Sequence, residues 1–179
     1  IGVARKTIAD SLTYSKDFPV EELNSALSIA IRRPSSMTPK NIEDALSIQY
    51  GSPLAFLLLS LLYEGKNWGS VPFNIDHIFP RSIFNHAKLV KGGVAISEVE
   101  RLVSCVNRIG NLQLIPESEN LQKSDKIFEE WIETRPSSYL EYHLIPGDKR
   151  LWSPKMISEF VEEREKRIRE ILVRISNAE

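Results

Sequence analysis

The sequence is poor in several features that define large classes of protein. It has one cysteine, Cys105, which excludes an intrachain disulfide and a cysteine-rich zinc knuckle and is typical of a reducing compartment. Its longest strongly apolar run, residues 53–63, is too short to span a bilayer and instead predicts a buried helix. No apolar stretch follows the first basic residues, as it would in a signal peptide. We therefore expect a cytoplasmic domain with no membrane partner.

An excess of charge of one sign is also missing. Lysine and arginine number 23 and aspartate and glutamate 24, which gives a formal net charge of −1. A chain so close to neutrality is not a strong polyanion binder by itself, so any contact with nucleic acid requires a local basic patch or another domain. With 42% hydrophobic and 26% charged residues, the 179-residue chain has the composition of a folded globular domain. It begins with Ile1, which suggests a piece of a longer protein.

Helical periodicity dominates both ends of the chain. Apolar residues recur with the 3.6-residue period of an amphipathic helix in residues 20–31 and again in residues 153–176. In the second segment the apolar positions are 157, 160, 161, 168, 171, 172 and 175. These patterns predict helical flanks over residues 1–70 and 132–179.

The period changes in the middle of the chain. Residues 71–75 and 111–115 are short and rich in β-forming side chains, which is typical of strands. A further helix is expected between Pro116 and Trp131. The fold class that we predict is α+β and mainly helical, with a small core over residues 71–131 embedded between the helical flanks.

One histidine lies in a pattern that points to chemistry. His77 follows Asp76 at the end of the first strand candidate, and neighbouring residues of an extended chain point to opposite sides. One of them can therefore hold a metal ion while the other faces a substrate. Gly110 directly precedes the second strand candidate, and Asn120 and Lys123 then fall one turn apart on the following helix.

The other two histidines have no such neighbours. His86 and His143 are expected to be ordinary surface or core residues.

Three segments in this order resemble the core of HNH nucleases, also called the His-Me finger. They are Asp76-His77-Ile78-x-Pro80, then Ile109–Leu114, then Asn120-x-x-Lys123. More narrowly, DHIFP and IGNLQLI with helices on both sides are similar to the C-terminal domain of GmrSD-type restriction endonucleases, which cleave modified DNA. The resemblance implies a ββα-metal core and a metal-dependent DNA endonuclease of a restriction or anti-phage defence system.

The resemblance also implies a role for each matching residue. Asp76 and Asn120 would bind the divalent metal, and His77 would be the general base that deprotonates the attacking water. Asn111 would fix the loop that carries the base. Lys123 would be a basic residue near the scissile phosphate.

These residue types suit phosphodiester hydrolysis. Carboxylate and amide oxygens are hard ligands, which favour Mg²⁺ or Mn²⁺ over zinc. An unperturbed imidazole titrates near ~6.5, so activity is expected to rise between roughly pH 6 and 8 as the base loses its proton. Because a second acidic ligand is missing from the motif, metal affinity should be weak without DNA.

Contacts with DNA are expected from basic residues of the core. The candidates for phosphate contacts are Arg81, Lys88, Lys91, Arg108 and Lys126. In the family that the motif resembles, recognition and nucleotide hydrolysis belong mainly to a separate N-terminal domain. A recognition domain or subunit of that kind is therefore an expected partner, beside DNA itself.

Two other interpretations remain open at this point. A catalytically inactive DNA-binding or protein-interaction module could have kept the fold without the activity. An all-helical interaction domain is the third possibility, and it predicts that residues 71–75 and 111–115 form no strand pair.

Overall fold

The computed structural model describes residues 38–63 and 71–177 of the chain. The helix predicted over residues 20–31 lies outside these ranges, as does the part of the N-terminal flank that precedes residue 38.

Helices make up most of the described chain. In chain order, the α-helices and strands are α1 (Pro39–Leu46), α2 (Ala55–Ser60), β1 (Phe73–His77), α3 (His86–Lys91), α4 (Ile96–Cys105), β2 (Leu112–Pro116), α5 (Glu117–Lys123), α6 (Phe128–Glu133), α7 (Ser138–Tyr142) and α8 (Ile157–Asn177). Short 3₁₀ turns cover Arg81–Ile83, Ile109–Asn111, Lys149–Trp152 and Pro154–Met156. In the ranges 38–63 and 71–177, no helix is both long and apolar enough to cross a membrane.

The two strands form an antiparallel pair that places the motif segments side by side. Asp76 lies opposite Gln113, and His77 lies opposite Leu112. The predicted strand pair is therefore confirmed, and the all-helical interpretation is wrong. The pairing starts two residues later than predicted in β1 because Pro72 has no N–H to donate to a ladder. The carbonyl of Pro72 instead accepts a hydrogen bond from the Glu117 N–H at 3.0 Å.

The long C-terminal helix α8 supplies one side of the core. Its apolar stripe is confirmed at positions 157, 160, 161, 168 and 172, which have no exposed surface. The stripe ends there, since Ile175 is 39% exposed. The helix itself starts at Ile157 rather than at Ser153, after the 3₁₀ turn of Pro154–Met156.

A buried arginine fills the gap in this stripe. Arg164 is fully buried, and its Nη1 donates to the carbonyls of Ile109, Gly110 and Leu112 at 3.2, 3.0 and 2.7 Å. Its Nε donates to the carbonyl of His143 at 2.9 Å. Burial lowers the pKa of Arg164 to about 10, so the guanidinium is still charged at pH 7. The guanidinium of Arg164 therefore holds the segment before β2 against α8.

An aromatic cluster anchors the segment that follows His77. Phe79 has no exposed surface, and its ring centroid lies 4.9 Å from that of Phe160 and 5.3 Å from that of Phe128. Such edge-to-face and tilted contacts stabilise beyond the area they bury. The end of β1 is thus attached to the main core within two residues of His77.

Two helix predictions need correction. The apolar run over residues 53–63 forms α2, but it is buried on one face only, since Leu54 and Leu57 are 54% and 59% exposed. The helix expected between Pro116 and Trp131 is two helices, α5 and α6. It breaks at Ser124, whose positive φ of 50° is incompatible with a continuing helix.

The other two histidines behave as expected. His86 is exposed at the start of α3. His143 is buried in the core, with its Nδ1 2.9 Å from the hydroxyl of Tyr63.

Replacing Gly110 by alanine should destabilise the fold. A Cβ at this position would lie 2.6 Å from the Val161 carbonyl oxygen of α8, and a helix backbone cannot easily move away. Overpacking of this kind lowers the free energy of unfolding by about 1–3 kcal/mol, measured by urea denaturation. Gly147→Ala is the control, since a Cβ there would meet no heavy atom within 4 Å. Equal stability of the two variants would contradict the close approach.

Candidate active site

His77 is held from two directions at the end of β1. Its Nε2 lies 3.1 Å from Oδ1 of Asn107, in the turn after α4. Its ring centroid lies 4.5 Å from that of Tyr50, at a tilt of 52°. The side chain is half-buried, so the imidazole combines a fixed orientation with access to solvent.

The environment of His77 favours the neutral imidazole. Burial lowers its pKa from the ordinary 6.5 to about 4, and the positive charges of Arg81 and Lys123 add to this lowering. The hydrogen bond to Asn107 opposes it. His77 is therefore neutral at physiological pH, which is the state that accepts a proton. A rise in activity between roughly pH 6 and 8 is expected from an ordinary histidine, whereas the pKa of His77 lies below that range.

Asn111 fastens the segment that follows His77. It is fully buried, and its Oδ1 accepts from the Phe79 N–H at 2.9 Å while its Nδ2 donates to the Phe79 carbonyl at 3.2 Å. The same Nδ2 donates to the carbonyl of Val106 at 2.8 Å. The structure thus brings Asn111 to the loop that the sequence assigns to it.

Asp76, the residue before His77, lies in a buried polar network. Both of its carboxylate oxygens lie 3.1 Å from Lys123 Nζ, and Oδ2 accepts from Gln113 Nε2 at 2.8 Å. Burial raises the pKa of Asp76, and Lys123 and Gln113 oppose the rise. Tyr139 completes the network by donating its hydroxyl to Gln113 Oε1 at 3.2 Å.

Lys123 has a different environment from the one expected near a phosphate. Its side chain has no exposed surface, and its Nζ also donates to the His77 carbonyl at 2.7 Å. The ammonium therefore binds two neighbouring groups at the end of β1 from within the protein.

A shallow depression of about 240 Å³ opens beside this strand end. Asp76, His77 and Asn120 all line it, together with Arg81. A second depression of about 450 Å³ shares Asn120 and Ile75 with the first and is also lined by Tyr50. Residues separated by more than 40 positions in the sequence thus meet on one accessible surface.

The family comparison agrees with this arrangement. The model of the C-terminal domain of GmrSD restriction endonucleases matches residues 36–171, which is most of the chain. The chain belongs to this family. A comparison with curated proteins finds no match. Membership identifies a restriction-endonuclease type of nuclease domain, and the matched range contains every residue of the site described above.

The basic residues proposed for DNA contacts are dispersed over this GmrSD C-terminal domain. Arg81 lines the depression, and Lys91 is exposed at the end of α3. Lys88 is exposed and donates to the Ser82 carbonyl at 2.8 Å. Lys126 lies over the ring of Trp131, with 5.7 Å between Nζ and the centroid.

Arg108 differs from the other basic candidates. Its guanidinium makes two hydrogen bonds with the carboxylate of Glu165 on α8, and the residue is only half-buried. A paired guanidinium has lost the excess positive charge that attracts a phosphate. Arg108 therefore also holds the turn before β2 against α8.

The oxygen donors of the depression suit a hard divalent cation. Asp76 and Asn120 offer carboxylate and amide oxygens, and Mg²⁺ commonly uses one or two protein ligands and keeps several waters. Within the described residues there is no group of three or more His, Cys, Asp or Glu side chains that could hold a metal. The donor set fits a weakly held, largely hydrated ion, and the Lys123 ammonium beside Asp76 weakens the attraction further.

Sequence reasoning missed two residues of the site. Gln113 carries a usable signal, because it is a polar residue within an otherwise apolar strand and lies opposite Asp76. Asn107 carries none, since an asparagine after a helix is unremarkable in any turn.

Titration of His77 should give a midpoint well below that of a free histidine. We expect a pKa of about 4 by NMR in the metal-free chain, with the resonance assigned by its loss in His77→Gln. Because the unfolded chain binds this proton more readily, the stability contributed by neutral His77 is lost as the pH falls from ~6.5 towards 4. A midpoint near 6.5 would contradict the buried environment.

Breaking the ion pair between Asp76 and Lys123 should be costly. Lys123→Met leaves a buried carboxylate without its counter-charge, which lowers the free energy of unfolding by about 3–5 kcal/mol. The exposed Lys91→Met is the matched control, with an expected change within about 0.5 kcal/mol.

A double-mutant cycle tests the coupling of this pair. In the Asp76→Asn background, Lys123→Met should cost less than in the wild type, again by urea denaturation. The same cost in both backgrounds would mean that the two side chains are not coupled.

Proposed function

We propose that this domain is a metal-dependent DNA endonuclease of the HNH type. Its ββα-metal core would consist of β1, β2 and α5. The observation that carries the proposal is that Asp76, His77 and Asn120 line one depression, although they come from two separate motif segments. Membership of the GmrSD C-terminal family supports the nuclease assignment independently of this geometry.

In this proposal His77 is the general base. It is neutral at physiological pH, so it takes a proton from the water that attacks the phosphorus. Its Nε2 contacts Asn107 and Asn111 holds the loop behind it, which keeps the ring in place. Fixed orientation matters because a misplaced base loses much of its rate advantage.

Asp76 and Asn120 would hold Mg²⁺ or Mn²⁺. A bound divalent ion would supply charge neutralisation at the phosphate and at the departing oxygen. Lys123 contacts both carboxylate oxygens of Asp76 and so orients this group, a different role from the direct phosphate contact expected from the resemblance. Arg81, which lines the depression, is the better candidate for a phosphate contact.

The partners proposed are DNA and a separate recognition domain or subunit of a restriction or anti-phage system. The net charge of −1 supports this division, because a near-neutral chain contributes little non-specific affinity for DNA. The domain would then act where its partner places it.

Cleavage of supercoiled plasmid tests the proposal. With Mg²⁺ or Mn²⁺ the chain should nick the plasmid, and with EDTA it should not. His77→Ala should lower the rate by about 10²–10⁴-fold, which is the usual contribution of general acid–base catalysis. His86→Ala is the matched control, because His86 is exposed on α3 and does not line the depression.

Binding must be measured beside cleavage. Fluorescence anisotropy with labelled DNA in EDTA should give equal affinities for the wild type and His77→Ala. Nicking that persists in His77→Ala would remove His77 as the base. DNA binding by the wild type without cleavage in any divalent ion would favour a non-catalytic module.

A further inference from the structure

The contact between His77 and Asn107 has a defined chemical direction. Oδ1 of Asn107 is a carbonyl oxygen, and such an oxygen only accepts hydrogen bonds. The hydrogen of this contact must therefore be on Nε2 of the imidazole. A neutral imidazole carries one N–H, so Nδ1 keeps its lone pair. Across the described residues Nδ1 has no hydrogen-bond partner.

Asn107 is itself held in place by its backbone. Its carbonyl accepts from the Tyr50 N–H at 2.9 Å, next to the isolated bridge between Gln49 and Arg108. Arg108 is paired with Glu165 of α8. The turn that carries Asn107 is thus tied both to the segment after α1 and to the long C-terminal helix.

Tyr50 connects the same backbone contact to the face of the imidazole. Its N–H bonds the carbonyl of Asn107, while its ring lies against the ring of His77. Tyr50 thus contacts the ring face of His77 and Asn107 contacts its Nε2, and these two residues are hydrogen-bonded to each other. This arrangement restricts ring rotation, which would move Nε2 away from Asn107 and put a ring carbon in its place.

We propose that Asn107 is a positioning residue that holds His77 in the Nε2–H tautomer, so that Nδ1 is the atom that accepts the proton. The proposal rests on the role of His77 as general base. The partner of one imidazole nitrogen decides which nitrogen remains free to accept a proton. The neutral amide of Asn107 fixes the tautomer without placing a negative charge beside the ring.

The tautomer can be measured without any cleavage assay. In the metal-free chain at pH 8, the ¹⁵N chemical shifts of the His77 imidazole should report the Nε2–H form, with assignment by His77→Gln. Asn107→Leu removes the acceptor at nearly constant volume, and the signal should change to a mixture of the two tautomers. Asn107→Asp can only accept, so the Nε2–H form should be retained.

Cleavage kinetics give the second measurement. Asn107→Leu should lower kcat by about 10- to 100-fold with little change in KM, as expected for a misoriented base. Asn107→Asp should restore most of the lost rate. Asn85→Leu is a matched control for the substitution itself, since the Asn85 side chain caps α3 at Ala87 and does not contact His77.

The outcomes separate this proposal from the proposed function. An Nδ1–H tautomer in the wild type, or an unchanged tautomer in Asn107→Leu, would overturn the role of Asn107 even if the domain cleaves DNA. Failure of the wild type to cleave would overturn the nuclease assignment. The tautomer measurement would then still decide whether Asn107 holds His77 in the Nε2–H form. If Asn107→Leu does not fold, Asn107→Ala provides the same comparison.

Discussion

The buried charge of Arg164 ties the strand pair of the candidate site to α8, the longest helix within residues 38–63 and 71–177. Its guanidinium donates hydrogen bonds to the carbonyls of Ile109, Gly110 and Leu112, which lie at the entry to β2. The same loop carries Asn111, which fastens the segment behind His77. A charge buried in this way is stable only when it is well bonded, so the loop has little freedom to adopt another path. The position of His77 thus depends on a residue of α8 that lies outside the motif.

The two neighbours at the end of β1 are affected by burial in opposite directions. Burial raises the pKa of Asp76 and lowers that of His77, so in both cases it favours the neutral form. For His77 the neutral form is the useful one. For Asp76 the ammonium of Lys123 opposes the effect of burial and favours the charged form. One strand end therefore holds a neutral imidazole beside a carboxyl group that is paired with a buried ammonium.

The parts of this architecture that could be predicted are those with a local signature. The strand pair follows from short β-rich segments between glycine and proline, and the packing face of α8 follows from its period. The meeting of Asp76, His77 and Asn120 is implied by the resemblance of the motif segments to the HNH core. What could not be predicted depends on contacts between distant segments. From the sequence, Arg164 in the gap of the apolar stripe is indistinguishable from a solvated arginine. Lys123 is expected on the surface, as most lysines are. The shared depression was accessible to sequence reasoning, whereas the buried supports of its side chains were not.

The position of α8 in the chain has a consequence for biosynthesis. A protein leaves the ribosome from its N-terminus, so every residue that lines the depression is made before Arg164. The carbonyls around Gly110 have no guanidinium to bind until α8 has emerged and docked. During translation the strand pair and its histidine are therefore exposed without the helix that orders them. The order of synthesis thus delays completion of the site until Arg164 of α8 has been made.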